Sequence, residues 1–168
     1  MRIGWILRPL LVAVLVALVL RPEWFTPLLA PLAPANGPVI YTRASLLSLS
    51  LSHLALVAMA SAAATVVAVT LAILVTRPAG AAFRPLSSTI TNMGQTFPPV
   101  AVLALAVPAL GFGAGPTLVA LFLYGLLPIF ENAVTGLTNL PPATMEAARG
   151  IGLSRWQRLW RVELPLAL

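Results

Sequence analysis

The feature that most constrains this chain is a segment without formal charge that runs from Ala44 to Val75. A membrane-spanning helix needs about twenty apolar residues, so this segment alone is long enough to cross a bilayer. Apolar residues make up 60% of the chain and charged residues only 8%, too few charges to cover a soluble protein of 168 residues. The sequence therefore predicts an all-α, polytopic integral membrane protein.

Four segments that lack charge, apart from Arg8 in the first, predict about four transmembrane helices. The predicted spans comprise residues 4–20, 54–75, 86–110 and 117–129. The third span begins with a polar but uncharged segment, and Pro98 and Pro99 interrupt it. Because neither proline has a backbone N–H, we expect the helix to break there.

The first span has an alternative interpretation as a secretory signal peptide, for which Ala33-Pro34-Ala35 would provide the cleavage site. That site lies about fifteen residues beyond the apolar run, which favours an uncleaved helix. Five prolines between residues 21 and 43 predict an extracytoplasmic loop without a long helix. The expected division is an N-terminal helix and loop over residues 1–43 and a permease domain over residues 44–168.

The net charge of +6 results from ten basic and four acidic residues, and all ten basic residues are arginine. In a membrane protein this charge indicates topology rather than nucleic-acid binding, because cytoplasmic loops collect basic residues. With a cytoplasmic N-terminus, Arg21 and Arg43 lie outside, and eight arginines lie inside. The predicted cytoplasmic arginines are Arg2, Arg8, Arg77, Arg84, Arg149, Arg155, Arg158 and Arg161.

The longest charged segment, from Glu146 to Pro165, is predicted to form two short helices. The first opens at Pro141 and Pro142 and is expected to stop at Gly150 and Gly152, either of which tolerates a positive φ. Ser154 and Gln157 have the spacing of a capping box for the second helix. In that helix Trp156, Leu159 and Trp160 form an apolar stripe, while Arg155, Arg158 and Arg161 are expected to face water or headgroups. Physical reasoning alone leaves two alternatives, a docking loop for a partner and an interfacial amphipathic helix pair without one.

Polar side chains at membrane depth are costly unless they point into the protein or toward water. Both a translocation pathway and hydrogen bonds between helices fit the polar residues of the predicted spans. The candidates for lining a pathway are Asn92, Gln95, Thr96 and Tyr124. The aromatic residues Phe97, Phe122 and Tyr124 fit packing better than a cation-binding cage.

Two further ionisable residues lie at the predicted span ends. His53 is interpreted as an interfacial residue rather than a proton relay. Glu131 is interpreted as a solvated helix-end residue, with pairing to a loop arginine as the alternative.

Glu146-Ala-Ala, then Gly152, then Val162-x-Leu164-Pro165 resembles the EAA loop of ABC importer permeases of the MetI-like family. The resemblance implies a cytoplasmic coupling helix that docks on a separate ABC ATPase subunit and transmits its movement to the membrane pathway. The residues that the resemblance places in this loop are Glu146, Ala147, Ala148, Arg149, Gly150, Gly152, Leu164 and Pro165.

Asn92–Pro98, Leu123–Ile129 and Trp156–Ala167 further resemble the osmoprotectant permeases, from about residue 53 to the end of the chain. This resemblance implies a multi-pass subunit of the bacterial inner membrane that imports glycine betaine, carnitine, choline or related compounds. It also implies an extracytoplasmic substrate-binding protein and a second permease subunit as partners. Glu131 departs from the family pattern, which often has a basic or neutral residue there.

The sequence contains no phosphate-binding loop and no lysine, so a non-catalytic subunit without a cofactor is expected. The alternatives are a permease for methionine or another small solute, and a membrane scaffold whose basic loop binds anionic lipid. Permeases of this family continue beyond the Leu-Pro pair with at least one more span. A chain truncated at its C-terminus is therefore expected.

Overall fold

The computed structural model describes residues 3–33, 37–41 and 43–167, without the side chains of residues 3–6, 94 and 95. Three expectations therefore lie outside the described residues. They concern Arg2, the Pro34 and Ala35 of the cleavage-site motif, and the side chain of Gln95.

Within those ranges all regular secondary structure is helical, which confirms the all-α fold. The chain divides into two compact units, the first ending at Ala55 and the second beginning at Leu56. In the first unit, helix α1 (Ile3–Leu20) is followed by three short helical turns, Pro22–Phe25, Thr26–Leu29 and Ala30–Leu32. The chain bends by 110° between α1 and these turns.

Helix α2 (Leu46–Val75) begins earlier than the predicted span, which started at residue 54. The cause is an N-cap, because the hydroxyl of Ser45 accepts a hydrogen bond from the backbone N–H of Ser48 at 3.1 Å. The serines between residues 45 and 53 were interpreted as an interfacial lead-in, and they belong instead to the cap and first turns of the helix. His53 is an exposed residue within this helix.

In the second unit, α2 packs in parallel against helix α5 (Ala114–Thr138). A Cβ built at Gly125 would lie 3.4 Å from the Cβ of Ala64, and further along both helices Ala72 and Val75 share a core with Phe130 and Val134. Small residues at every fourth position of α2 are buried and allow the close approach. They are Ala60, Ala64, Ala68 and Ala72. Parallel packing places the C-terminal ends of α2 and α5 at the same end of the unit.

The third predicted span is divided as expected. Helix α3 (Arg84–Thr96) ends before Phe97, whose backbone is extended. Helix α4 (Pro99–Leu110) begins directly after Pro98. Both helices pack on α5, which returns antiparallel to them. The predicted break at the two prolines is therefore confirmed.

Only α2 and α5 are long and apolar enough to cross a membrane on their own among the described residues. Residues 7–32, taken as one bent span, would add a third, and α4 is a shorter apolar helix. Helix α5 continues to Thr138, beyond the predicted end of the span at Ile129. The predicted end was placed where the apolar residues stop, but the helix continues through the polar residues that follow.

The remaining helices are short. Helix α6 spans Pro142–Gly150, and helix α7 starts at Arg155–Arg158, passes through a π-helical turn at Leu159–Glu163 and ends with Leu164–Ala167. The end of α7 packs on α5 at Gly136, where an added Cβ would clash with the backbone carbonyl of Ala167. Glycine is therefore required at this helix crossing.

This crossing gives a testable packing difference between two glycines of the same helix. Gly136→Ala is expected to lower the melting temperature by about 2–6 °C, because overpacking against backbone costs about 1–2 kcal/mol. Gly125→Ala is the matched control, since its nearest neighbour is a side-chain methyl at ordinary contact distance. Thermal unfolding of both purified variants in detergent checks the prediction, and equal shifts would contradict it.

Candidate functional site

Helix α6 has one inward and one outward face. Ala148 is 5% exposed, and Thr144 and Met145 on the same face are half-buried. The residues between and after them are exposed, as the period of 3.6 requires. The exposed residues are Glu146, Ala147, Arg149 and Gly150. The helix is therefore held by Ala148 and presents the rest of the predicted loop motif to its surroundings.

The end of α6 is closed by backbone geometry at Gly152. Its φ is +79°, in the left-handed region that favours glycine. The N–H of Leu153 donates to the carbonyl of Ala148 at 3.1 Å, and the N–H of Gly152 donates to that of Arg149 at 2.9 Å. This pair of bonds is a Schellman motif, and of the two glycines considered as a stop it is Gly152 that takes the positive φ.

The predicted capping box is present at the start of α7. The backbone N–H of Gln157 donates to the Ser154 hydroxyl at 3.2 Å, and the Ser154 N–H donates to the Gln157 side-chain oxygen at 2.9 Å. Trp156 and Trp160 are exposed and meet edge to face, with ring centroids 6.1 Å apart. Leu159, by contrast, is 3% exposed, so the expected apolar stripe is split between the protein interior and its surface.

An ion cluster centred on Glu163 was not predicted from the sequence. This carboxylate closes the π-helical turn, is 3% exposed as a residue, and lies 2.6 Å from the guanidinium of Arg77 and 3.6 Å from Nε of Arg158. Arg158 was expected to face water or headgroups, and the structure corrects this, because its side chain is only 17% exposed and faces Glu163. The cluster ties the loop after α2 to the segment after α6. Arg77 and Glu163 are far apart in sequence, and no local spacing signals their contact.

Leu164 and Pro165 belong to the end of α7. Leu164 is half-buried and Pro165 is exposed. The proline lies inside a helical segment that is continuous from Arg155 to Ala167.

Among the candidate pathway residues whose side chains are described, two lie on α3 and Tyr124 lies on α5. Asn92 and Thr96 are exposed on α3, where the Thr96 hydroxyl donates to the carbonyl of Asn92 at 3.1 Å. The hydroxyl of Tyr124 donates to the carbonyl of Phe97 at the break between α3 and α4. This carbonyl precedes two prolines, so the tyrosine bridges α5 to the break.

Glu131 is not the solvated helix-end residue that was expected. It lies within α5, is half-buried, and accepts a hydrogen bond from the Ser88 hydroxyl of α3 at 2.9 Å. No arginine lies within 4.0 Å of it among the described ion pairs. It therefore links α3 to α5 between the Pro98 break and the C-terminal end of α5.

Apolar helices joined by short polar helices define the class, a multi-pass integral membrane protein. The family described as "binding-protein-dependent transport system inner membrane component" matches residues 65–168, and the chain belongs to this family. The family match includes α6, α7 and the whole Glu163 cluster.

Curated relatives are similar to most of the chain. The osmoprotectant import permease protein OsmY of Salmonella typhimurium (strain LT2) is 48% identical over 122 residues, which cover 73% of this chain and 52% of the relative. OsmW of the same organism, also named an osmoprotectant import permease protein, is 41% identical and covers 73% of this chain and 59% of its own length. The glycine betaine/carnitine/choline transport system permease protein OpuCB of Bacillus subtilis (strain 168) is 37% identical, over 62% of this chain and 51% of the relative.

The chain therefore spans about half the length of the curated relatives it matches. No solved structure matches it.

Proposed function

We propose that the chain acts as the membrane-spanning permease subunit of an ABC importer for osmoprotectants of the quaternary-ammonium type. Two relatives that are similar over most of this chain support the substrate class, because one is named an osmoprotectant permease and the other a glycine betaine/carnitine/choline permease. Transport would be driven by a separate ABC ATPase, and an extracytoplasmic binding protein would deliver the substrate. The permease would function as a dimer with a second permease subunit, and this chain itself would be non-catalytic.

In this proposal α6 is the coupling helix that docks on the ATPase. The observation that carries it is the split between the buried Ala148 and the exposed Glu146, Ala147 and Arg149. Ala148 anchors this helix, and the turn at Gly152 ends it. In the proposal, a movement of the ATPase at the exposed face of α6 is thereby transmitted to the membrane-spanning helices. Gly150, Gly152, Leu164 and Pro165 complete the proposed coupling loop.

The distribution of arginines supports a membrane topology for the proposed permease. Parallel packing brings the ends of α2 and α5 together with α6 and α7, and six arginines follow those ends. The positive-inside rule then assigns this end of the second unit to the cytoplasm. Those arginines are Arg77, Arg84, Arg149, Arg155, Arg158 and Arg161. A cytoplasmic N-terminus follows if α1 and the turns after it carry the chain across once.

Co-purification with the cognate ATPase subunit tests the docking proposal. Glu146→Arg is expected to reduce the ATPase recovered by at least about tenfold, because a reversed charge at a close contact costs more than 1.4 kcal/mol. Membrane insertion should be unchanged, since Glu146 is exposed and makes no ion pair among the described residues.

The matched control separates this function from a lipid-binding scaffold. Arg155→Gln/Arg161→Gln removes two exposed charges from α7 and leaves α6 untouched. A coupling subunit retains the ATPase in this control. A lipid-binding scaffold would instead lose binding to the membrane surface in the control, and Glu146→Arg would leave the recovery of the ATPase unchanged. That result would refute the proposal.

A further inference from the structure

An open cavity of about 750 Å³ lies where α2 and α5 end and is bordered by the segments that follow them. Ligand sites usually measure about 300–1,000 Å³, so it is large enough for a polar headgroup. Its charged lining consists of four guanidinium groups and one carboxylate. These residues are Arg77, Arg149, Arg155, Arg158 and Glu163.

The single carboxylate does not neutralise this lining. Glu163 forms ion pairs with Arg77 and Arg158, whereas Arg149 and Arg155 have no carboxylate within 4.0 Å among the described residues. Three buried atoms of this cluster also lack a hydrogen-bond partner, namely Nε of Arg77, Nε of Arg158 and Oε1 of Glu163. The Glu163 oxygen lies 3.6 Å from Nε of Arg158, so two buried donors stand beside one acceptor. The lining of the cavity therefore carries excess positive charge.

We propose that this cavity binds a phosphate group that carries a net negative charge, from an anionic phospholipid headgroup or from a small phosphorylated solute. Guanidinium groups bind phosphate oxygens in pairs through their planar fork. Trp156 lines the cavity and its ring meets that of Trp160, and both are exposed. Tryptophan is enriched at the level of lipid headgroups, which places the cavity within reach of the bilayer surface.

The test uses the purified full chain without any ATPase, so it is independent of the proposed function. Native mass spectrometry measures the affinity for phosphatidylglycerol and for phosphatidylcholine, whose phosphate is compensated by an attached cation. Arg149→Gln/Arg155→Gln is expected to weaken phosphatidylglycerol binding by about tenfold or more, since each arginine near an anionic surface contributes about fivefold. Arg84→Gln/Arg161→Gln is the control, because it removes the same charge from exposed positions outside the cavity lining.

A clear preference for phosphatidylglycerol that only the first double variant loses supports the cavity. Equal losses in both double variants indicate diffuse attraction to a basic surface and would overturn the proposal, as would equal binding of the two lipids. Inorganic phosphate at constant ionic strength then identifies the source of the phosphate. Displacement of the lipid by phosphate assigns the cavity to a free phosphate group, and retention of the lipid assigns it to the headgroup.

Discussion

Glu163→Gln is expected to lower the melting temperature of the purified protein by about 4–8 °C. Removing one partner of a buried ion pair costs about 3–5 kcal/mol when the other charge stays buried. Here the side chains of Arg77 and Arg158 are 33% and 17% exposed, so they can regain some hydration. We therefore expect a loss of about 2 kcal/mol, which corresponds to that shift for a chain of this size.

Glu131→Gln is the matched control for this substitution. It removes the same charge from a half-buried carboxylate whose described hydrogen-bond partner is the neutral hydroxyl of Ser88, and an amide oxygen can accept the same bond. Its expected cost is below about 1 kcal/mol. Combining Glu163→Gln with Arg77→Gln should cost less than the sum of the two single changes, because the pair is already broken. Additive losses, or equal shifts for Glu163→Gln and Glu131→Gln, would show that the cluster contributes nothing specific.

Gly152→Val is expected to open the end of α6 and to release the ATPase. Gly152 has a φ of +79°, which is disfavoured for any residue with a Cβ and most strongly for a β-branched one. A cost of about 2 kcal/mol raises the opening equilibrium of the turn about thirtyfold. Hydrogen exchange at the Leu153 amide, which bonds to Ala148, measures the opening in the isolated chain.

The neighbouring glycine provides the control for that measurement. Gly150 ends α6 without a left-handed φ, and an added Cβ there meets nothing within 4 Å. Gly150→Val should therefore leave the Leu153 amide protected. If both variants exchange equally fast, the backbone conformation at Gly152 does not hold the loop. If Gly152→Val opens the turn and still retains the ATPase, the loop conformation is not what the ATPase recognises.

The features of the coupling loop that were predictable from sequence are local. Pro142, Gly152 and the Ser154–Gln157 pair each act on a backbone group within a few residues, so their spacing specifies the outcome. The break at Pro98 belongs to the same class, because two missing donors interrupt any helix. Local chemistry of this kind does not depend on how the helices pack.

Features that join distant parts of the chain were not predictable from one sequence. One partner of Glu163, Arg77, lies in the loop after α2. Arg158 was assigned to water or headgroups because a regular α-helix was assumed, whereas the π-helical turn places Glu163 of the same helix beside it. Glu131 was placed at a helix end because the apolar run stops before it. The early start of α2 was a different case, since Ser45 followed by apolar residues was a local capping signal that the hydropathy pattern obscured.

Cysteine cross-linking tests the docking of α6 most directly, because the chain contains no cysteine of its own and one introduced cysteine is unique. Ala147→Cys lies on the exposed face of α6, and Leu110→Cys lies at the exposed end of α4, on the opposite end of the second unit. With a short bifunctional reagent, Ala147→Cys is predicted to yield a covalent adduct with the ATPase subunit in the assembled complex, and Leu110→Cys to yield none. An assembled complex in which Ala147→Cys gives no adduct, or in which both positions react equally, would contradict the account.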